Sequence, residues 1–295
     1  MPTELVVRSS LAAVAVLGST GVTIVVVEAA RRRPLSTSLL ATRWRTWVAL
    51  AAIWILGLTS PAVLYPVLAV LGLAAASEYA KLAKLGWTDW LTLLALPVVG
   101  LSFVSLGFDP LAVVTGTLVA STIRPLLEQD VADGPRRVGQ LLVGVTVVVV
   151  PVISMWVVSQ SAPVVFVALL FGVALSDVTA FTVGSTLGRH PVAPELSPNK
   201  TWEGVAGNLA GAAVGVAIAG FGGGIGVAGI VLFAVAIAVG AVWGDLFESL
   251  LKRHADVKDA GTVLPGFGGI LDRVDSLIVA APLMWIVLQL SGGGL

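Results

Sequence analysis

The sequence predicts an all-α polytopic membrane protein, a transmembrane helical bundle of about ten spans. Three observations carry that expectation. Of 295 residues, 57% are hydrophobic and only 12% are charged, about half the charge of an ordinary soluble domain. The mean hydropathy is +1.00. The apolar residues also come in long runs, each close to the roughly 20 residues that a helix needs to cross a bilayer.

In chain order the expected spans lie near 9–29, 46–60, 62–80, 89–106, 109–126, 138–158, 162–183, 202–221, 225–248 and 274–291. Pro61, Pro110 and Pro163 fall in the short connections, and the glycine run 222–224 punctuates another, where chain breakers belong. The 46–60 segment is short and its neighbour follows at once, so this pair can also be read as a re-entrant hairpin. Arg8 precedes the first run, but the strong positive flank (Arg31, Arg32 and Arg33) comes after it, the reverse of a secretory signal. The whole of 1–295 is read as one integral membrane domain, with less specific spans over 1–130 and the motif-bearing ones over 138–291.

If the amino terminus lies outside, every Lys and Arg except Arg8 falls on the cytoplasmic side, as the positive-inside rule requires. The net charge is zero, from 17 basic and 17 acidic residues, so there is no global field to attract nucleic acid. No nucleic-acid partner is expected. Cysteine is absent and His190 and His254 are the two histidines. That excludes disulfides and thiolate chemistry and leaves carboxylates to hold any metal.

Charge concentrates near the carboxyl end. An Asp, Lys or Arg at the centre of a membrane helix costs about 2.5 to 3.5 kcal/mol, so a cluster of both signs reads as a functional site. Asp245, Glu248, Ser249 and Lys252 recur at i, i+3, i+4 and i+7, which is one helix face. Asp272 and Asp275 share another face at the start of the last span. Carboxylates converging from the two stripes would suit Mg²⁺, which takes a few of them together with waters and substrate phosphates. Lys252, Arg253, Lys258 and Arg273 would supply phosphate contacts. Acid for metal and base for phosphate point to phosphoryl or nucleotidyl transfer. Taken alone, the Lys252-Arg253 pair would be read as a membrane-interface anchor.

The run from Ser249 to Asp275 has the form S-x-x-K-R-x4-K-D-x-G-x3-P-G-F-G-G-x-x-D-R-x-D. It resembles the signature of the phosphatidate cytidylyltransferase (CDP-diacylglycerol synthase) family. Upstream, Asp177, Ala180 and Phe181, and then Ser197, Pro198, Lys200, Thr201, Glu203 and Gly204, resemble that family's D-x-x-A-[YF] and S-P-x-K-T-x-E-G elements. One departure is plain: Phe267 stands where the family signature has His. The resemblance implies transfer of CMP from CTP to phosphatidic acid with release of pyrophosphate. It implies Mg²⁺ held by Asp245, Asp272 and Asp275, with room for a second, monovalent cation. Lys252, Arg253, Lys258, Asp259 and Arg273 would be catalytic, and Asp177, Ser197, Lys200, Thr201, Glu203, Ser249, Gly268 and Gly269 would bind substrate. The partners are then CTP, a lipid phosphate and the bilayer, and the expected place is a bacterial inner membrane with the catalytic loops cytoplasmic. Two other readings stand beside it: a cytidylyltransferase for an isoprenoid or ether-lipid phosphate, and a non-catalytic membrane scaffold or transporter.

Other features read as structural. The run from Phe221 to Gly226 is a turn, because no strand precedes it and it falls on the outer side. Gly207, Gly211 and Gly215 share a helix face suited to close packing, either inside the subunit or at a homodimer seam. Trp44, Trp47, Trp87, Trp90 and Trp202 read as an aromatic belt. Glu78 is read as an interfacial charge, with a place facing the cavity as the alternative.

Overall fold

A computed structural model describes residues 3–30, 39–221, 224–257, 261 and 268–291. Among them, ten helical segments lie over the ten expected spans: α1 (Thr3–Ala30), α2 (Leu39–Gly57), α3 (Pro61–Leu82), α4 (Trp87–Ser105), α5 (Pro110–Leu127), α6 with α7, α8 (Pro163–Leu187), α9 (Trp202–Gly220), α10 (Val227–His254) and α11 (Leu271–Leu290). Helices α6 (Gly134–Gly144) and α7 (Val150–Ser161) form one span, widened by a π-helical turn over Val145–Val149 just before Pro151. Seven segments, α3 to α10 with α6 and α7 taken together, are long and apolar enough to cross a membrane. In α2 the apolar stretch is shorter, Val48–Gly57. The chain is an all-α polytopic membrane protein.

The expected breakers prove to be starters. Pro61, Pro110 and Pro163 each open a helix, where the missing N–H would have had no intrahelical partner. Ser60 Oγ accepts from the Val63 N–H at 3.3 Å and Asp109 Oδ1 from the Ala112 N–H at 2.8 Å, so the first turns of α3 and α5 are capped. The span Gly134–Ser161 is innermost: its apolar window is 78% buried, against 17% for Pro110–Leu127 at the rim. Its α7 packs on α3, α4, α8 and α11, and Ile153, Met155, Val158, Phe166 and Met284 meet there in one buried cluster.

Glycine lets two pairs of helices approach closely. A Cβ on Gly207 would stand 2.8 Å from the Thr179 carbonyl oxygen, and one on Gly215 2.6 Å from Gly172 Cα. The face of α9 that carries these glycines is therefore used inside the subunit, against α8. Helices α10 and α11 meet the same way, with Gly240 on Ala280 and Gly244 on the Asp275 carbonyl.

The expected span 162–183 already held Asp177, and α8 continues four residues beyond it, to Leu187. Asp177 therefore sits inside a helix whose last turns lie against the glycine face of α9. Beyond α8, β1 (Pro191–Ala193) and β2 (Ser197–Thr201) form a short antiparallel hairpin, with Pro191 opposite Thr201 and Ala193 opposite Ser197. The hairpin was not expected from the sequence.

Away from these elements, Arg137 joins three segments. It forms a two-point pair with buried Asp89 (2.7 and 2.8 Å) and reaches Glu128 at 2.6 Å and Asp130 at 3.3 Å. Hydrogen bonds from Arg137 and Arg124 hold Glu128 below the usual carboxylate range.

Candidate active site

The charged residues gather where the carboxyl-terminal turns of α8 and α10, the hairpin, and the amino-terminal turns of α9 and α11 come together. Asp245 lies nine residues before the end of α10, roughly 14 Å in from the helix terminus. Ser276, on the second turn of α11, bridges two helices: its Oγ lies 2.8 Å from Asp245 Oδ1 and 3.2 Å from Asp177 Oδ1. A hydroxyl carries one proton, so it can serve only one of the two carboxylates at a time. Asp245, Glu248 and Asp177 all bear electrostatically on Asp275. Lys200, delivered by β2, reaches Asp245 Oδ2 at 2.8 Å, while Lys200 and Arg273 both act on Asp177.

A second group stands beside the first. Lys252 lies between Glu248 and Asp272, at 2.8 Å from Asp272 Oδ1. Asp272 Oδ2 accepts the Gly269 N–H at 2.8 Å. Both carboxylates are buried, Glu248 at 1% exposure and Asp272 at 4%, and buried carboxylates persist only when paired and hydrogen-bonded.

Of the three aspartates expected to share a metal, the structure brings Asp245 and Asp275 together, adds Asp177 to them, and engages Asp272 with Lys252 and Gly269. Among the described residues, no three carboxylates or imidazoles form a closed metal-binding group. The donor set of Asp177, Asp245 and Asp275 still fits a hard divalent cation in kind. Its oxygens are carboxylate oxygens, and the Ser276 hydroxyl leaves one of two neighbouring carboxylates without its proton.

Six of these residues form the polar end of a cavity of about 880 Å³, within the range of small-molecule sites. Lys200, Asp177, Asp245, Asp272, Arg273 and Asp275 line that end, and Leu17, Trp54, Val70, Leu170 and Phe171 line the rest. Apolar walls therefore lead to a charged floor.

A family model described as the cytidylyltransferase family matches residues 41–291. The chain belongs to the cytidylyltransferase family. Relatives named phosphatidate cytidylyltransferase are similar over a shorter stretch. The one from Mycobacterium leprae (strain TN) is 40% identical over 123 residues, 41% of this chain and 39% of its own length. The one from Brucella abortus biovar 1 (strain 9-941) is 43% identical over 122 residues, 41% and 45% of the two chains. The one from Mycobacterium bovis is 42% identical over 127 residues, 41% and 40%. The matched stretch spans less than half the length of each of these curated relatives.

In this cytidylyltransferase-family chain the remaining expected site residues divide. Ser197 lines the cavity. Thr201 Oγ1 caps α9 by accepting the Gly204 N–H at 3.2 Å. The Glu203 carboxylate is taken up by the hairpin base, with Oε1 2.6 Å from His190 Nδ1 and Oε2 accepting the Arg189 and His190 N–H groups at 3.1 and 3.3 Å. Ser249 is half-buried on α10, and Arg253 is exposed at its end. Gly268 holds φ of +86°, a conformation that side chains resist. Lys258, Asp259 and Phe267 lie outside the described residues.

Three residues of this region were missed as site residues. Ser276 is the hydroxyl between two aspartates, and nothing in the motif marks it. Asn208 lines the cavity while buried, and among the described residues its Oδ1 has no hydrogen-bond partner. Glu78, expected at the interface, is 2% exposed and touches the signature segment. Its signal was an acid within an apolar run.

Proposed function

We propose that this protein transfers the cytidylyl group of CTP to the phosphate of phosphatidic acid, giving CDP-diacylglycerol and pyrophosphate, at the cytoplasmic face of a bacterial inner membrane. One observation carries the reading: an apolar cavity is lined at one part by four aspartates together with Lys200 and Arg273, and Lys200 pairs with Asp245 at 2.8 Å. Hydrocarbon chains suit the walls and phosphates suit the floor. The relatives named phosphatidate cytidylyltransferase support the same substrates.

An oxygen of the lipid phosphate, already ionised near neutral pH, attacks the α-phosphorus of CTP. The new P–O bond forms as the bond to pyrophosphate breaks. No side chain has to remove a proton. Lys200 and Arg273, both on the cavity wall, would bind phosphate oxygens, Arg through a fork and Lys as a point charge. Mg²⁺ would be held by Asp245 and Asp275 with Asp177 beside them, and when bound would draw charge from the triphosphate and the leaving pyrophosphate. Lys252 keeps Asp272 and Glu248 paired at the edge of the floor. Most of the rate would come from positioning and preorganised charge.

The test is incubation of the purified protein with labelled CTP, Mg²⁺ and a panel of lipid phosphates: phosphatidic acid, an ether-lipid phosphate and an isoprenoid phosphate. Label should enter the lipid with phosphatidic acid, pyrophosphate should appear in equal amount, and a chelator should stop both. Label entering only the isoprenoid phosphate would move the assignment to that substrate. No CTP consumption with any lipid would remove the reading.

A further inference from the structure

Helix α11 begins with an uncommon arrangement. A helix leaves its first N–H groups without partners, and a Ser, Thr, Asp or Asn at the N-cap ordinarily supplies an acceptor. Here the N-cap is Ile270, which has no side-chain acceptor. The acceptor comes instead from a residue 192 positions away. Glu78 on α3 takes the Ile270 N–H on Oε1 at 3.0 Å and the Leu271 N–H on Oε2 at 2.7 Å.

The glycines beside this turn are shaped to the same carboxylate. A Cβ on Gly261 would stand 2.5 Å from Glu78 Oε1, and one on Gly269 2.5 Å from Glu78 Oε2. At these two ends of the glycine-rich part of the signature, backbone closes on an internal carboxylate and leaves no space for a methyl group.

Glu78 is itself held firmly. Its neighbour Tyr79 donates to the Gln140 carbonyl at 2.7 Å, and Gln140 Nε2 donates to the Ala83 carbonyl at 2.7 Å, which ties the end of α3 to α6. A buried charge with both oxygens hydrogen-bonded at a helix N-terminus is favourably placed.

We propose that Glu78 is a positioning residue: its carboxylate fixes the first turn of α11 and so sets where Asp272 and Asp275 stand. The connection is short. Gly269 donates to Asp272, Asp272 pairs with Lys252, and Asp275 lies one turn further along the same helix. A supporting group of this kind decides whether a site is held tightly enough to act, and a misplacement of about 1 Å can cost about a hundredfold in rate. Only the kinetic arm of the test rests on the proposed activity.

The experiment compares wild type with Glu78→Ala, Glu78→Gln and Glu78→Asp in detergent. It reads hydrogen exchange of the peptide 268–274 against that of α7, together with kcat and KM for CTP. In Glu78→Ala, exchange of 268–274 should quicken at least about tenfold while α7 stays protected. Its kcat should fall about a hundredfold with KM for CTP within about threefold. Glu78→Gln, which keeps one acceptor oxygen, and Glu78→Asp, which keeps the charge on a shorter stem, should fall between. Unchanged exchange in Glu78→Ala overturns the proposal, as does faster exchange with unchanged kcat. Equal acceleration in α7 also overturns it, since that marks general loosening. If wild type consumes no CTP, the functional reading fails while the exchange comparison still decides Glu78.

Discussion

The aspartates differ in what holds them, and their substitutions should differ accordingly. Asp245 and Asp275 belong to the open carboxylate group around Ser276. Replacing either by Asn should cut turnover at least about a hundredfold, or about 2.7 kcal/mol of barrier, while folded protein is recovered as usual. Turnover within about threefold of wild type across a Mg²⁺ titration would take both out of the chemistry. Asp272 is different because it pairs with Lys252 and accepts from Gly269. Asp272→Asn should lower thermal stability as well, since breaking one side of a buried ion pair costs about 3 to 5 kcal/mol. An unfolding midpoint equal to wild type would show that the pair is not structural.

Among the elements, α8 and α9 form the pair on which the site depends, because Asp177 comes from one and the hairpin leads Lys200 into the other. Their approach is set by glycine. Gly215→Val would place its Cβ 2.6 Å from Gly172 Cα. It should lower stability by more than the roughly 1 to 3 kcal/mol usual for overpacking, because backbone and not a flexible side chain blocks the space. Gly116→Val on α5 is the control, since among the described residues nothing lies within 4 Å of its Cβ position. Similar yields and unfolding midpoints for the two variants would show that the α8–α9 approach can relax.

At the scale of the whole molecule, charge sets the expected direction across the bilayer. The connections that carry the hairpin and the α10–α11 segment should face the cytoplasm, with Phe221 on the opposite side, because basic residues are retained inward. The chain has no cysteine, so single cysteines report cleanly. Asn199→Cys, exposed on β2, should resist a membrane-impermeant thiol reagent in intact cells and react after permeabilisation. Phe221→Cys, 86% exposed at its own turn, should react in intact cells. The reverse pattern would invert the topology and place the floor of the cavity away from cytoplasmic CTP.

Sequence by itself determined the helical bundle and the region of the site, for physical reasons that act locally. Long apolar runs need no partner to declare a membrane span, and charges kept beside them at a cost mark chemistry, which is how Asp245, Lys252 and Asp272 could be found; Asp177 and Lys200 were marked by the family resemblance alone. Relations between distant segments were not legible. The meeting of Asp177 with Asp245 follows from how α8, α10 and α11 converge on Ser276, and the division of the aspartates into two groups follows from how α10 meets α11. Glu203 stood in a motif, yet only the hairpin shows what takes up its carboxylate. Glu78 is the clearest case: a lone acid in an apolar run could lie at the interface or in the cavity. Only tertiary structure, by bringing an uncapped helix start 192 residues away against it, decided its place, because the acceptor that α11 needs is absent from its own sequence.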